Sequence, residues 1–250
     1  MSIKVDIANQ VRQTTVLAWR PLLPLFEAVM NSFQAIKEAG PPPNISGRVL
    51  IEVVRDPRQL DLDIPTISGF RVTDNGIGLD DNNFDSFNTA FSAHKLTRGG
   101  KGLGRFTWLK AFDSARIEST FKDENGFYTR SFMFDENYDL EDKRGLPKPS
   151  SRTQTGTTVE LVELKPLYRH ECPRSGDILA MIFVVADLTP RLKEILEDFS
   201  ATMTPDKLGY YGYHPNYRVY YEVMDYGKML SDAVKRNRIF FDKLNLVDNR

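Results

Sequence analysis

Between Leu22 and Glu38, Phe26, Val29, Met30, Phe33 and Ile36 recur at helical spacing, which predicts an amphipathic helix. Gly40 and the run Pro41-Pro42-Pro43 end it, because glycine caps helices and proline cannot continue them. The period then changes to two. Val49, Ile51 and Val53 alternate with other residues between Arg48 and Val54, and Phe70 to Thr73 forms a second strand pattern that stops at Asp74. Asp80 to His94 is polar with aromatic punctuation and predicts a short helix around Phe84 to Phe91. Phe106 to Phe112 is apolar and helix-compatible. Ala115 to Phe121 and Phe127 to Phe134 predict two strands, joined at Asp123-Glu124-Asn125-Gly126, where Asn-Gly tolerates the positive φ of a hairpin turn. Asn137 to Gln154 reads as a surface loop and Thr157 to Leu164 as another strand. Beyond Lys165 the character changes. Asp177 to Phe199 predicts a helix broken at Pro190, and Tyr217 to Val223 a last strand in a tail rich in tyrosine and charge.

A hairpin beside α/β crossovers predicts an α+β fold. The expected form is a two-layer α/β sandwich, with a mixed, mostly antiparallel sheet and helices on one face. The expected division is one domain over residues 1–165 and an appendage over 166–250. Composition agrees with a folded chain, at 41% hydrophobic and 27% charged residues. Lys and Arg total 33 against 34 Asp and Glu, a formal net charge of −1, so there is no global electrostatic case for nucleic acid. Cys172 is the single cysteine and reads as a buried or incidental thiol. No run approaches the ~20 apolar residues of a membrane span. Lys4, Asp6 and Arg12 interrupt any signal-peptide pattern. The expectation is a cytoplasmic protein with no membrane partner.

Four short segments carry candidate chemistry. Glu27 and Asn31 lie four apart on the first helix and share one face, continued by Gln34 and Glu38. Alone, this stripe reads as a solvated helix face. Asp74-Asn75-Gly76-Ile77-Gly78 ends a strand: an aspartate there can accept from an exocyclic amine, and the glycines let the backbone approach a planar ring. Alone, it reads as a turn. Gly99-Gly100-Lys101-Gly102-Leu103-Gly104 precedes a helix, so its N–H groups and lysine make a phosphate cradle or simply a flexible loop. Arg105 follows it, which rules out a Walker A loop, and its glycine spacing is not the Rossmann one. Thr155-Gly156-Thr157-Thr158 opens the next strand.

Taken together and in this order, the four segments resemble the sequence boxes of the GHKL ATPases. That family comprises gyrase-like topoisomerases, heat-shock chaperones, histidine kinases and mismatch-repair ATPases. Phe26–Ala35 is similar to the N box, and Asp74–Gly78 to the first glycine box. Gly99–Gly104 resembles the second glycine box in its histidine-kinase form, and Thr155–Leu161 the closing strand. The resemblance covers about residues 15 to 165.

It implies the Bergerat fold, with ATP and Mg²⁺ as cofactors. Asp74 would read the adenine amine, with Thr157 holding the carboxylate or a bridging water, and Gly76 and Gly78 would bend around the base. Asn31 would ligate Mg²⁺, and Glu27 would deprotonate the attacking water. Gly100, Lys101, Gly102, Leu103 and Gly104 would wrap the phosphates. The segment between the glycine boxes would be an ATP lid, in which Lys95 reads either as a phosphate contact or as a solvated lysine.

Two departures stand out. Gln34 occupies a position where many relatives carry aspartate, and no lysine or arginine in 166–250 is marked as the transducer residue that reaches the γ-phosphate. The leading expectation is Mg²⁺-dependent ATP hydrolysis that drives a conformational switch, with nucleotide-dependent homodimerisation. One alternative is a non-catalytic nucleotide sensor in a DNA-processing or defence assembly, with a protein or DNA partner. The other is a histidine kinase catalytic domain, disfavoured because His94, His170 and His214 all follow the N box. The tyrosines from Tyr210 to Tyr221 read as the packing of a small subdomain or as an interaction surface.

Overall fold

The computed structural model describes residues 6–40, 47–59, 65–88, 104–139 and 145–172, and the backbone of 209–214 and 219–224. Helix α1 (Ile7–Gln13) is capped by Asp6, whose carboxylate accepts the Asn9 N–H at 3.0 Å. Helix α2 (Leu23–Ala39) carries Pro24 in its first turn, where proline costs no hydrogen bond, and ends at Gly40 with φ 59°. Strand β1 (Gly47–Arg55), a 3-10 turn (Pro57–Gln59) and strand β2 (Ile67–Asp74) follow. Next come α3 (Asp81–Asn88), α4 (Gly104–Ala111), β3 (Phe112–Asp123), β4 (Gly126–Phe134), β5 (Lys148–Pro149) and β6 (Gly156–Leu164). Helix α5 (Pro166–Glu171) and strands β7 (Gly209–His214) and β8 (Val219–Met224) complete the described elements.

The strands form one sheet in the order β5-β4-β3-β6-β2-β1-β8-β7. Every pairing is antiparallel except β1 with β8, which is parallel. Helix α2 lies across β1, β2 and β6, and α4 packs on α2 and β3, so the fold is α+β in two layers. The period-two pattern decides which residues meet the helices. Val49, Ile51, Val53, Phe70, Val72, Ala115, Ile117, Val159 and Leu161 are buried, and Phe33 and Ile36 of α2 cover them from above. The intervening residues form a charged row on the open face: Glu52–Arg71 at 3.5 Å, Arg71–Glu160 at 3.2 Å and Arg116–Glu160 at 2.9 Å.

Several elements differ from the sequence reading. Helix α3 starts at Asp81 because Asp80 accepts the Asn83 N–H at 2.7 Å and caps it. Strand β3 begins at Phe112 with no linker after α4, since the buried Phe112 already belongs to the core. The expected loop over 137–154 contains β5, paired to β4. Helix α5, not expected, begins with Pro166 and is tied down by the Tyr168 hydroxyl, which donates to the Val16 carbonyl at 3.0 Å. Strand β8 lies close to the expected Tyr217–Val223, whereas β7 was not expected; through the β1 pairing, residues beyond 165 extend the same sheet. The expected helix over Asp177–Phe199 lies outside the described residues. No helix among the described residues is long and apolar enough to cross a membrane.

The two faces of β2 should respond differently to truncation. Phe70→Ala removes a fully buried ring that meets Phe112 edge-on, with centroids 6.2 Å apart; it is expected to cost about 3–5 kcal/mol. Arg71→Ala, one residue on, loses only open-face ion pairs and is expected to cost under about 1 kcal/mol. Urea unfolding of the two variants checks this; equal losses would contradict the assignment of faces.

Candidate functional site

In β2 the inward residues are Phe70 and Val72, and the same parity turns Asp74 inward at the strand end. In β6 and β3 the inward series are Thr157-Val159 and Ile117-Ser119, with Ser119 opposite Thr157. Asp74, Thr157 and Ser119 thus form a polar row at one end of an apolar face. The N–H groups of Gly76 and Thr157 donate to Asp74 Oδ1 at 2.9 and 3.2 Å. Ser119 Oγ accepts the Leu79 N–H at 2.8 Å, shares a 2.8 Å hydrogen bond with Thr157 Oγ1 and donates to the Gly156 carbonyl at 3.2 Å. Thr157 therefore holds the aspartate through its backbone, while its hydroxyl is engaged by Ser119.

The turn after Asp74 is wedged between α2 and β3. Ile77 N–H donates to the Ala35 carbonyl at 3.1 Å. A Cβ on Gly76 would lie 2.7 Å from both the Ala35 carbonyl carbon and its Cβ, so only glycine fits. Gly78 adopts φ 82° against the Thr120 carbonyl, again excluding a side chain.

Helix α2 forms the other wall. Ala28, Ser32 and Ala35 make a stripe of small residues that leaves a cavity of about 110 Å³ between helix and sheet. Asn31, Gln34 and Glu38 stand along it, and Asp74, Gly78, Leu79, Phe87, Trp108, Ile117, Thr157 and Val159 complete the lining. Asn83, at the start of α3, donates to the Gly78 carbonyl at 3.4 Å and reaches Glu38 at 3.5 Å, bridging the two walls.

The fold thus brings Asn31, Asp74, Gly78 and Thr157 to one cavity, with Gly76 beneath them. Glu27, one turn before Asn31, is not in this lining. Its carboxylate packs against the α-carbon of Gly104, where a side chain would collide with it. Lys95, Gly100, Lys101, Gly102 and Leu103 lie outside the described residues.

Burial pushes the Asp74 carboxyl up to about 6, against the opposing pull of the Gly76 N–H, the Ser32 hydroxyl and the Thr157 N–H. No lysine or arginine stands among the described lining residues to offset it. The indole N–H of Trp108 is also buried and has no hydrogen-bond partner among the described residues. Such an unmet donor costs about 1–3 kcal/mol. Behind the cavity, the buried Arg130 guanidinium donates to the carbonyls of Leu79 and Gly145 at 2.9 and 2.8 Å and pairs with Asp81. It fixes the chain just after the glycine turn.

Ser32, Asn83, Trp108, Ser119 and Arg130 did not stand out in the sequence. The small stripe Ala28-Ser32-Ala35 was legible at helical spacing. The others depend on strand register and helix docking, which no local pattern displays. No protein-family model matches this chain, and no curated protein matches it.

The aspartate's burial has a measurable sign. Its carboxyl titrates near 6 in the folded chain and near 3.8 when exposed, so between those values the folded state holds the extra proton. Stability is therefore lost as pH rises from about 4 through 6, by roughly 3 kcal/mol at pH 7. Asp74→Asn keeps an oxygen for the two N–H donors and lacks the charge. It is expected to be more stable than the parent at pH 7, by up to about 3 kcal/mol, with the gap closing towards pH 4. Urea unfolding of both chains across that range measures the gap; a constant difference would contradict the assignment.

Proposed function

We propose that the chain is an ATP-binding module of the GHKL type, with the Bergerat arrangement of helices on a mixed sheet, and that it hydrolyses ATP with Mg²⁺. The observation that supports this most is the meeting, in one cavity, of a strand-end carboxylate and the polar stripe of α2. The two glycines beside that carboxylate have no room for side chains. Helix α2, the end of β2 and the start of β6, far apart in sequence and individually bland, meet at this cavity.

Asp74 accepts the exocyclic amine of adenine. Both backbone donors converge on its Oδ1, and the Ser32 hydroxyl is a further donor to the carboxylate. Asn31 offers one amide oxygen, and Mg²⁺ suits such a donor set because it keeps phosphate oxygens and waters as its other ligands. The metal supplies charge neutralisation at the phosphates. Glu27, on the same helix face, takes the proton of the attacking water as the water oxygen bonds to the γ-phosphorus and the bond to the β–γ bridging oxygen breaks. ADP and phosphate result. Gly104 leaves room for the Glu27 carboxylate at the first residue of α4. Closure of the segment after Asp80 over nucleotide, with pairing of two copies, is the switch that the resemblance suggests.

Binding should depend on Asp74 and on its ionisation. Asp74→Asn is expected to weaken ATP about tenfold or more, from the loss of roughly 1–3 kcal/mol at a buried acceptor. For the parent chain, affinity should fall as pH drops through about 6, where the acceptor gains a proton. GTP, which presents a carbonyl in place of the amine, should compete far less well than ADP. Calorimetry at pH 5 and 7.5 tests all three; equal affinity for GTP and ADP would remove the adenine assignment.

Turnover should depend on Glu27. Glu27→Ala is expected to lower the ATPase rate about 10²–10⁴-fold while ATP affinity stays nearly unchanged, because the carboxylate touches water rather than nucleotide. Asn31→Ala should lose Mg²⁺-dependent binding as well as turnover. A parent chain no faster than Glu27→Ala, with Mg²⁺ present and with or without DNA, would leave a nucleotide-gated binding module in place of a hydrolase.

A further inference from the structure

Arg130 lies on β4 directly opposite Ser119 of β3, and Ser119 lies opposite Thr157 of β6. Thr157 in turn gives its N–H to Asp74 at the end of β2. One polar rung, Arg130-Ser119-Thr157-Asp74, therefore crosses four strands. Its outer members are joined through Leu79, whose two backbone groups are both held. The Leu79 N–H donates to Ser119 Oγ at 2.8 Å, and the Leu79 carbonyl accepts from Arg130 Nε at 2.9 Å. Leu79 lines the cavity, whereas Arg130 is not among its described lining residues. The Arg130 side chain is 3% exposed. Its guanidinium lies over the rings of Phe84 and Phe121, 4.5 and 5.0 Å from their centroids. Its counter-charge is Asp81, the first residue of α3, whose side chain is 85% exposed.

Burying a guanidinium opposes its desolvation, and hydrocarbon of similar volume would pack β4 against α3 at least as well. What hydrocarbon cannot do is donate in several fixed directions at once. Arg130 does so, to Leu79, to the Gly145 carbonyl at 2.8 Å and to Asp81. Its bond to Leu79 sets the peptide that follows this wall residue, and Ser119 sets the peptide before it. Ser119 also binds Thr157 and Gly156, so a shift of Leu79 is passed to the N–H that holds Asp74. We propose that Arg130 is a positioning residue for the cavity: it holds Leu79, and through Ser119 and Thr157 the Asp74 carboxylate, in the geometry that receives an amine. That the amine is adenine's rests on the nucleotide reading above. Arg130 touches no ligand and acts through the turn that does.

Two measurements separate this from a purely structural role. The amide resonances of Gly76 and Thr157 report the bonds to Asp74 Oδ1 and need no ligand. Arg130→Gln is expected to move both, although β4 is two strands from β6. Calorimetry of the same variant is expected to show adenosine bound about three- to tenfold more weakly. Arg130→Lys keeps a charge for Asp81 but lacks the planar fork. It is expected to recover most of the stability to urea and little of the affinity. Full recovery of both would overturn the proposal, because charge alone would then suffice. Unmoved Gly76 and Thr157 resonances in Arg130→Gln would overturn it too, and so would unchanged adenosine affinity. If neither variant folds, Asp81→Ala removes only the counter-charge, at an exposed position, and frees the guanidinium to turn towards water. Moved resonances together with affinity weakened about twofold or more support the proposal in that chain, and the absence of either change overturns it. A parent chain that binds neither adenosine nor ATP would overturn the nucleotide reading, and the two resonances would still decide whether Arg130 positions Asp74. Adenosine binding that Asp74→Asn weakens and Arg130→Gln does not would overturn only the role of Arg130.

Discussion

A carboxylate kept inside the protein, with no lysine or arginine in the described lining of its cavity, is the constraint around which the site is built. Asp74 occupies an inward strand position that Phe70 and Val72 fill with hydrocarbon two and four residues earlier. Ionising it there opposes desolvation, and the chain offsets part of the cost with two N–H groups converging on one oxygen. Those donors come from the turn immediately after the aspartate and from the start of β6. The geometry of both must therefore be held tightly, and Ser119 does so by binding Leu79, Thr157 and Gly156 at once. The close approach of Gly76 to α2 then fixes the distance between helix and sheet. A cavity survives at this point because small residues of α2 face it, whereas Phe33 and Ile36 of the same helix close the core.

Helix α2 divides its surface between three tasks. One side supplies core hydrocarbon, a narrow stripe of Ala28, Ser32 and Ala35 supplies space, and a third side supplies Asn31, Gln34 and Glu38 to the cavity. Glu27 stands a turn away against Gly104. The separation has a functional logic in the proposed reaction: the group that reads the base and the group that moves a proton are at opposite ends of the nucleotide. Each then has a different dielectric surrounding. Asp74 is dry, and its acceptor strength is correspondingly high towards an amine; Glu27 is half-buried beside a helix N-terminus.

The open face of the sheet contributes little energy but much definition. The row Glu52-Arg71-Glu160-Arg116 crosses four strands in register. Exposed pairs of this kind are individually weak. Slipping any one strand by a residue would bring these charges into the core and the valines and isoleucines to water. The charged row and the apolar rows therefore enforce the same register, and that register places Asp74, Thr157 and Ser119 side by side.

The sequence by itself determined the types of the central elements, though not α1, α5, β5 or β7. The helical spacing of Phe26, Val29, Phe33 and Ile36, the alternation of Val49, Ile51 and Val53 and the Asn125-Gly126 turn are local signals, and local signals survive reading one residue after another. It also offered Asn31, Asp74 and Thr157 as candidates, through the order of four segments that resemble known sequence boxes rather than through any one of them alone. Tertiary structure alone decided what these residues share. Thr157 acts through its N–H because Ser119 lies opposite it, and Ser119 lies there because of the β3–β6 register. Trp108 sits in an apolar segment, and only the docking of α4 on α2 buried its indole N–H without a partner among the described residues. The burial of Asp74, and hence its raised pKa, follows from a helix laid over a strand end. Hydrophobic period is encoded within each segment, but cavities and desolvation arise only between segments, where the residues that meet are separated by most of the domain.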